Sequence, residues 1–108
     1  MIDYSLFEKL DIRIGTIISA NKFSEARNLS YKLVIDFGNL GSLKSSAQIT
    51  KLYKSENLVG KQVIAIINLG FRKIANFESQ CLILGAVEKE FVFLLKPEEK
   101  TINGARVF

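Results

Sequence analysis

Two short stretches concentrate side chains suited to meeting an anion. One is Lys44-Ser45-Ser46-Ala47-Gln48; the other is Phe71-Arg72-Lys73-Ile74-Ala75-Asn76-Phe77-Glu78-Ser79-Gln80. An arginine offers phosphate a planar fork of donors, and a lysine offers a point charge. Arg72 and Lys73 supply one of each. Asn76, Ser79 and Gln80 can donate to phosphate or 2′-hydroxyl oxygens. On an extended strand, alternation sends Lys44, Ser46 and Gln48 to one face and Ser45, Ala47 and Ile49 to the other. The first set makes a polar, positive stripe. Phe71 and Phe77 bracket the cations. Three roles are open to these rings: stacking on unpaired bases, worth ~1–3 kcal/mol per base, lining a groove for apolar peptide side chains, or packing in the core. Ser79 has the alternative of satisfying backbone at a strand start. The blander reading of both stretches is a solvated surface.

Other chemistries have little to work with. The chain has no histidine and one cysteine. That removes Ser-His-Asp and Cys-His nucleophiles and histidine metal sites. The carboxylates Glu98 and Glu99, and Glu88 and Glu90, flank turns and fit solvated charge. No catalytic residue, metal ligand or cofactor is expected, so the sequence points to a binding protein, not an enzyme. Cys81 lies in the apolar run Cys81-Leu82-Ile83-Leu84 and has no second cysteine to pair with. A buried, unreactive thiol is expected there.

The net charge of +4 is unevenly spread. Residues 1–38 balance, and residues 78–108 are slightly acidic. Residues 39–77 hold Lys44, Lys51, Lys54, Lys61, Arg72 and Lys73 against the single acid Glu56. Interspersed charge would serve solubility. Segregated positive charge is the footprint of a polyanionic partner.

Those residues need a scaffold, and 108 residues supply one domain. Hydrophobic residues make up 48% and the mean hydropathy is +0.19, which excludes general disorder. So short a chain cannot hide that much apolar surface alone, so an oligomer is expected. No apolar run approaches the ~18 residues of a membrane span. The first residues, MIDYSLFEKLDIR, carry acids where a secretory signal has bases. A cytoplasmic protein with no membrane insertion is expected.

Most of the pattern is strand. Ser5 and Glu8 have capping-box spacing for a brief helix with Leu6, Phe7 and Leu10 on its apolar side. Strands are expected over 11–20, 32–38, 43–49, 61–69, 79–87 and 90–95, with an Asn103-Gly104 turn near the end. Gly15 inside the first strand suggests a bulge or a sharp coil. Thr50–Val59 suggests a short helix or helical turn with Thr50 as N-cap. Five principal strands with a helix between the third and fourth is the order of an OB-fold, a five-stranded Greek-key barrel. The apolar ends suit a dimer contact, and Phe7, Leu10, Phe91, Phe93, Val107 and Phe108 are assigned to core and dimer contact.

Five ordered blocks carry a resemblance. D11-I-R-I-G-T-I17, K32-L-V-I-D-F-G38, K44-S-S-A-Q-I-T50, G60-K-Q-V-I-A-I-I-N68 and R72-K-I-A-N-F-E-S-Q80 look like the tRNA-binding domain family. That family includes appended domains of methionyl- and phenylalanyl-tRNA synthetases and free-standing proteins described as export-related chaperones. The resemblance runs from about Phe7 to Gly104. It implies an OB-fold, a homodimer built with the terminal extensions, tRNA binding through shape and backbone, and binding of unfolded or precursor polypeptides. It implies no cofactor and no catalysis. Many relatives have Pro at the position of Phe71, Gly at that of Asn76 and Met at that of Leu82. Asn tolerates left-handed backbone, so the turn is expected to survive with Asn76 in place of Gly.

Overall fold

The computed structural model describes residues 1–108. A short helix α1 (Tyr4–Glu8) precedes ten strands: β1 (Ile12–Lys22), β2 (Tyr31–Asp36), β3 (Ser42–Ala47), β4 (Gln62–Ile66), β5 (Arg72–Ile74), β6 (Phe77–Ser79), β7 (Leu82–Ile83), β8 (Gly85–Glu88), β9 (Phe91–Leu94) and β10 (Arg106–Val107). The helix starts one residue before Ser5, with Asp3 at the N-cap and no side-chain cap bond. No helix is long and apolar enough to cross a membrane.

The main sheet runs β3-β2-β1-β4-β7, and β10 also pairs with β1. Every ladder is antiparallel. β1 is long enough to carry β10 at Ile12–Arg13 and β2 from Thr16 onward. Its register shifts between Ile17 and Ser19, which turns Ile18 outward. The bulge therefore lies beyond Gly15. Gly15 serves close packing instead: a Cβ there would fall 2.6 Å from Ile35 Cγ2 and 2.8 Å from the Phe37 ring. Overpacking of that kind costs about 1–3 kcal/mol.

The sheet curls until the segment after β6 meets β3. No strand ladder forms at this seam. Lys44 N donates to Gln80 Oε1 at 3.0 Å, and Gln80 N donates to Lys44 O at 2.7 Å. Ser46 N donates to Ser79 Oγ at 3.0 Å, and the buried Ser45 Oγ donates to Cys81 O at 2.9 Å. These bonds close the barrel, and the architecture is an OB-fold. Ile17, Leu33, Ile35, Phe37, Leu58 and Val63 fill it with no exposed surface.

Two elements depart from regular helix and strand. Thr50–Val59 takes the form of helical turns: Tyr53 N donates to Ile49 O at 3.3 Å, and a 3₁₀ turn spans Ser55–Asn57. Its apolar residues 52, 53, 58 and 59 lack the spacing of three and four that would seat a helix. Leu58 alone of these is buried, and Tyr31 Oη anchors the segment by donating to Tyr53 O at 2.8 Å. The expected strand over 79–87 is broken. Gln80 and Cys81 turn aside to close the seam, and the chain changes partner from β4 in β7 to β9 in β8.

Candidate nucleic-acid interface

Alternation on β2 buries Tyr31, Leu33 and Ile35 and turns Lys32, Val34 and Asp36 outward. On β3 it buries Ser45 and turns Lys44 and Ser46 to the same outer face. Ser46 sits opposite Lys32, and Lys44 opposite Val34. Gln48 lies just past β3 and is exposed. The polar stripe expected on the third strand is therefore present, and β2 widens it.

The β5–β6 hairpin borders this face. Its register pairs Arg72 with Ser79, Lys73 with Glu78 and Ile74 with Phe77. Directly opposed residues share a face, so Arg72, Ile74, Phe77 and Ser79 form one side and Lys73 and Glu78 the other. The Arg-Lys pair is split: Arg72 belongs to the side that meets β3, and Lys73 faces away. The loop between the strands is Ala75-Asn76. The positive φ falls on Ala75, at 53°, and not on Asn76. Positive φ at the first loop position alone is the pattern of a type II′ turn. Asn76 is exposed at the tip.

Phe77 organises the cations. Lys44 Nζ lies 5.4 Å from its ring centroid and Lys32 Nζ 6.0 Å. The Phe23 ring meets it edge-on at 5.3 Å, and Lys32 Nζ sits 5.3 Å from the Phe23 centroid. Distances of this size are those of cation–π contacts. Neither lysine has a carboxylate partner, because the single ion pair of the chain is Arg13–Asp11. Two ammonium groups thus converge on one aromatic pair with their charge available. They occupy the Phe77 ring, so a base stacking there would first displace a lysine.

The expected residues divide into two sets. Lys44, Ser46, Phe77 and Ser79 come together around the seam, with Arg72 on the adjoining hairpin side. Gln48, Asn76 and Lys73 stand farther out, each exposed. Ser79 and Gln80 have their side-chain oxygens occupied by β3 amides, and Gln80 Nε2 donates to Glu78 Oε1 at 3.2 Å. Ser79 retains a hydroxyl proton to donate. Phe71 is 60% exposed, and no ring or cation packs on it. Sequence reasoning missed Lys32 and Phe23. The signal was a lysine at an outward position of a strand adjacent to the ligand strand, and a phenylalanine just past the end of β1.

The sequence profile described as "Putative tRNA binding domain" matches residues 12–106. The chain belongs to the tRNA-binding domain family. Among solved structures similar to this family member are the chaperone CsaA of Bacillus anthracis str. Ames, 44% identical with a TM-score of 0.96 over 100% of this chain and 99% of that one. CsaA of Picrophilus torridus is 43% identical, with a TM-score of 0.94 over all of both chains. The methionine–tRNA ligase of Methanococcoides burtonii is 36% identical over 105 residues, covering 96% of this chain. The chain spans only 15% of that ligase. The tRNA-binding domain is thus matched in two settings: as nearly the whole of small chains and as a minor part of a large enzyme.

Proposed function

We propose that this protein binds tRNA as a folded, anionic surface, without catalysis, through the outer face of β2–β3 and the adjoining side of the β5–β6 hairpin. The observation that carries this reading is the convergence of Lys32 and Lys44, both without carboxylate partners, on the Phe77–Phe23 pair. Lys44 and Arg72 meet phosphates. Ser46, Gln48, Asn76 and the Ser79 hydroxyl donate to phosphate or ribose oxygens, and Gln80 holds the seam beneath them. Lys73 adds charge from the far side of the hairpin. Such contacts position a backbone without reading sequence. Fluorescence anisotropy with bulk tRNA across a salt series tests this. Neutralising ~4 phosphates gives a log–log slope of roughly −3. Replacing Lys32 and Lys44 together by Ala should lower that slope by about 2. A flat salt dependence would sink the reading.

A second reading is supported by the likeness to chaperone structures and by the exposed Phe71. In it the protein also receives unfolded or precursor polypeptides in an apolar groove of a homodimer, in the cytoplasm. Suppression of client aggregation that persists in saturating tRNA would place the two activities on separate surfaces. Loss of suppression would place them on one.

A further inference from the structure

We infer that a second anion site, shaped for a phosphoryl group, lies between the start of β4 and the segment after β9, apart from the β2–β3 face. It is a groove of about 380 Å³ lined by Tyr53, Lys61, Gln62, Lys96, Glu98 and Lys100 among others. That volume lies in the ~300–1,000 Å³ range of small-ligand sites. Lys61, Lys96 and Lys100 bring three positive charges to one concave surface. None has an ion-pair partner, Glu98 included, although Glu98 lines the same groove.

The groove is built on fixed backbone. Tyr53 Oη accepts from Leu94 N at 3.0 Å, and Leu95 N donates to Leu84 O at 3.3 Å, which pins the segment at its start. Gln62 pins the other end: its Nε2 donates to Thr101 O at 2.7 Å and to Asn103 Oδ1 at 3.1 Å, and its Oε1 accepts from Thr101 N at 3.1 Å. Pro97 restricts the backbone between them. Lys61 is held by its own backbone bonds to Leu58 O and from Ile17 N, while Lys96 and Lys100 each stand beside a restrained residue, Pro97 and Thr101. Preorganisation of this kind lowers the ordering cost of binding.

Tyr53 adds an observation independent of the lysines. Its hydroxyl oxygen accepts the Leu94 amide, and its own proton has no acceptor in the chain. A half-buried phenolic donor in a groove lined by three lysines without ion-pair partners suits an acceptor-only ligand of multiple negative charge. A phosphoryl group meets that description, either as a free phosphate compound or as a phosphate of a bound RNA. The site does not depend on the RNA reading, because a free anion probes it directly.

Titration with inorganic pyrophosphate, followed by the backbone amide NMR shifts of Leu94 and Thr101, tests the inference. Saturable shifts at both are expected in the wild type and should vanish in K61Q/K96Q/K100Q, which leaves the pinning residues intact. Glu98→Gln removes the one repelling carboxylate and should tighten binding. Tyr53→Phe should weaken it roughly ten-fold, through loss of one hydrogen bond to a charged group. Non-saturable shifts, or shifts unchanged in the triple variant, would overturn the site. The same triple variant separates the sources of the phosphate. A shallower salt slope for tRNA in the triple variant assigns the phosphate to RNA. An unchanged slope with pyrophosphate binding lost assigns it to a free phosphoryl compound.

Discussion

At the scale of single residues, Ala75 and Cys81 carry costs that can be measured. Ala75 has φ of 53°, a conformation that penalises any side chain with a Cβ. Ala75→Gly should therefore stabilise the protein by about 0.5–1 kcal/mol after the entropy of the unfolded glycine is counted. Chemical denaturation with an unchanged slope would register it. The sequence resemblance draws attention to Asn76, which tolerates left-handed backbone, and not to Ala75. Composition alone does not show which of two loop residues has positive φ, because register decides it. Cys81 was legible as a buried thiol, and burial pushes its pKa from 9.0 up to about 11, against a smaller lowering by the Ser45 hydrogen bond. The folded state keeps a proton that the unfolded state releases. The resulting stability is whole below about pH 9 and is lost as pH rises through about 11. Denaturation measured from neutral pH to pH ~11 should fall more steeply for wild type than for Cys81→Ala, by on the order of 2–3 kcal/mol at most. Parallel curves would show that the thiol titrates normally.

At the scale of elements, the seam between β3 and the Ser79–Cys81 segment sets apart residues that look alike in the sequence. Ser79 and Gln80 are polar and lie beside Arg72 and Lys73, so all four are candidates for the ligand, with backbone satisfaction at a strand start the alternative for Ser79. The side-chain oxygens of Ser79 and Gln80 accept from the amides of Ser46 and Lys44. Removing an acceptor from a half-buried amide costs about 1–3 kcal/mol. Ser79→Ala and Gln80→Ala should each lose stability of that order. Arg72→Ala and Lys73→Ala should stay within ~0.5 kcal/mol, as exposed substitutions do. Thermal unfolding distinguishes the two groups. Because the hairpin register puts Arg72 and Lys73 on opposite sides, Arg72→Ala should also weaken tRNA binding more than Lys73→Ala. Equal losses would mean that the ligand embraces both sides of the hairpin. Strand existence was legible from alternation, as on β2 and β3. The hairpin within residues 71–80 and the break after β6 were not, since both arise from pairing with distant strands.

At the scale of the whole molecule, the apolar ends form one surface. Arg106 on β10 joins them: its guanidinium sits 5.4 Å from the Phe108 ring, and its Nη2 donates to Glu8 O and Leu10 O at 3.4 Å. The C-terminus is thereby held against α1. Leu6 is 48% exposed and Phe108 86%. Of the residues assigned to core and dimer contact, Phe7, Leu10, Phe91 and Val107 are half-buried within the protomer, and Phe93 and Phe108 are exposed. Contiguous exposed apolar surface on a small soluble chain marks an interaction site. The proposed homodimer covers it with a second copy. Light scattering at micromolar concentration should then give about twice 12.1 kDa. Leu6→Glu combined with Phe108→Glu places like charges on the same surface and should return the mass to 12.1 kDa while the circular dichroism of the barrel persists. A dimer also presents two β2–β3 faces to one tRNA. Joining two sites raises affinity through effective concentration without new contacts. The monomeric variant should therefore bind tRNA more weakly and with a shallower salt slope, although neither substituted residue lies on the basic face. Wild-type protein at 12.1 kDa would remove the dimer, and a monomeric variant with undiminished tRNA affinity would show that one face suffices.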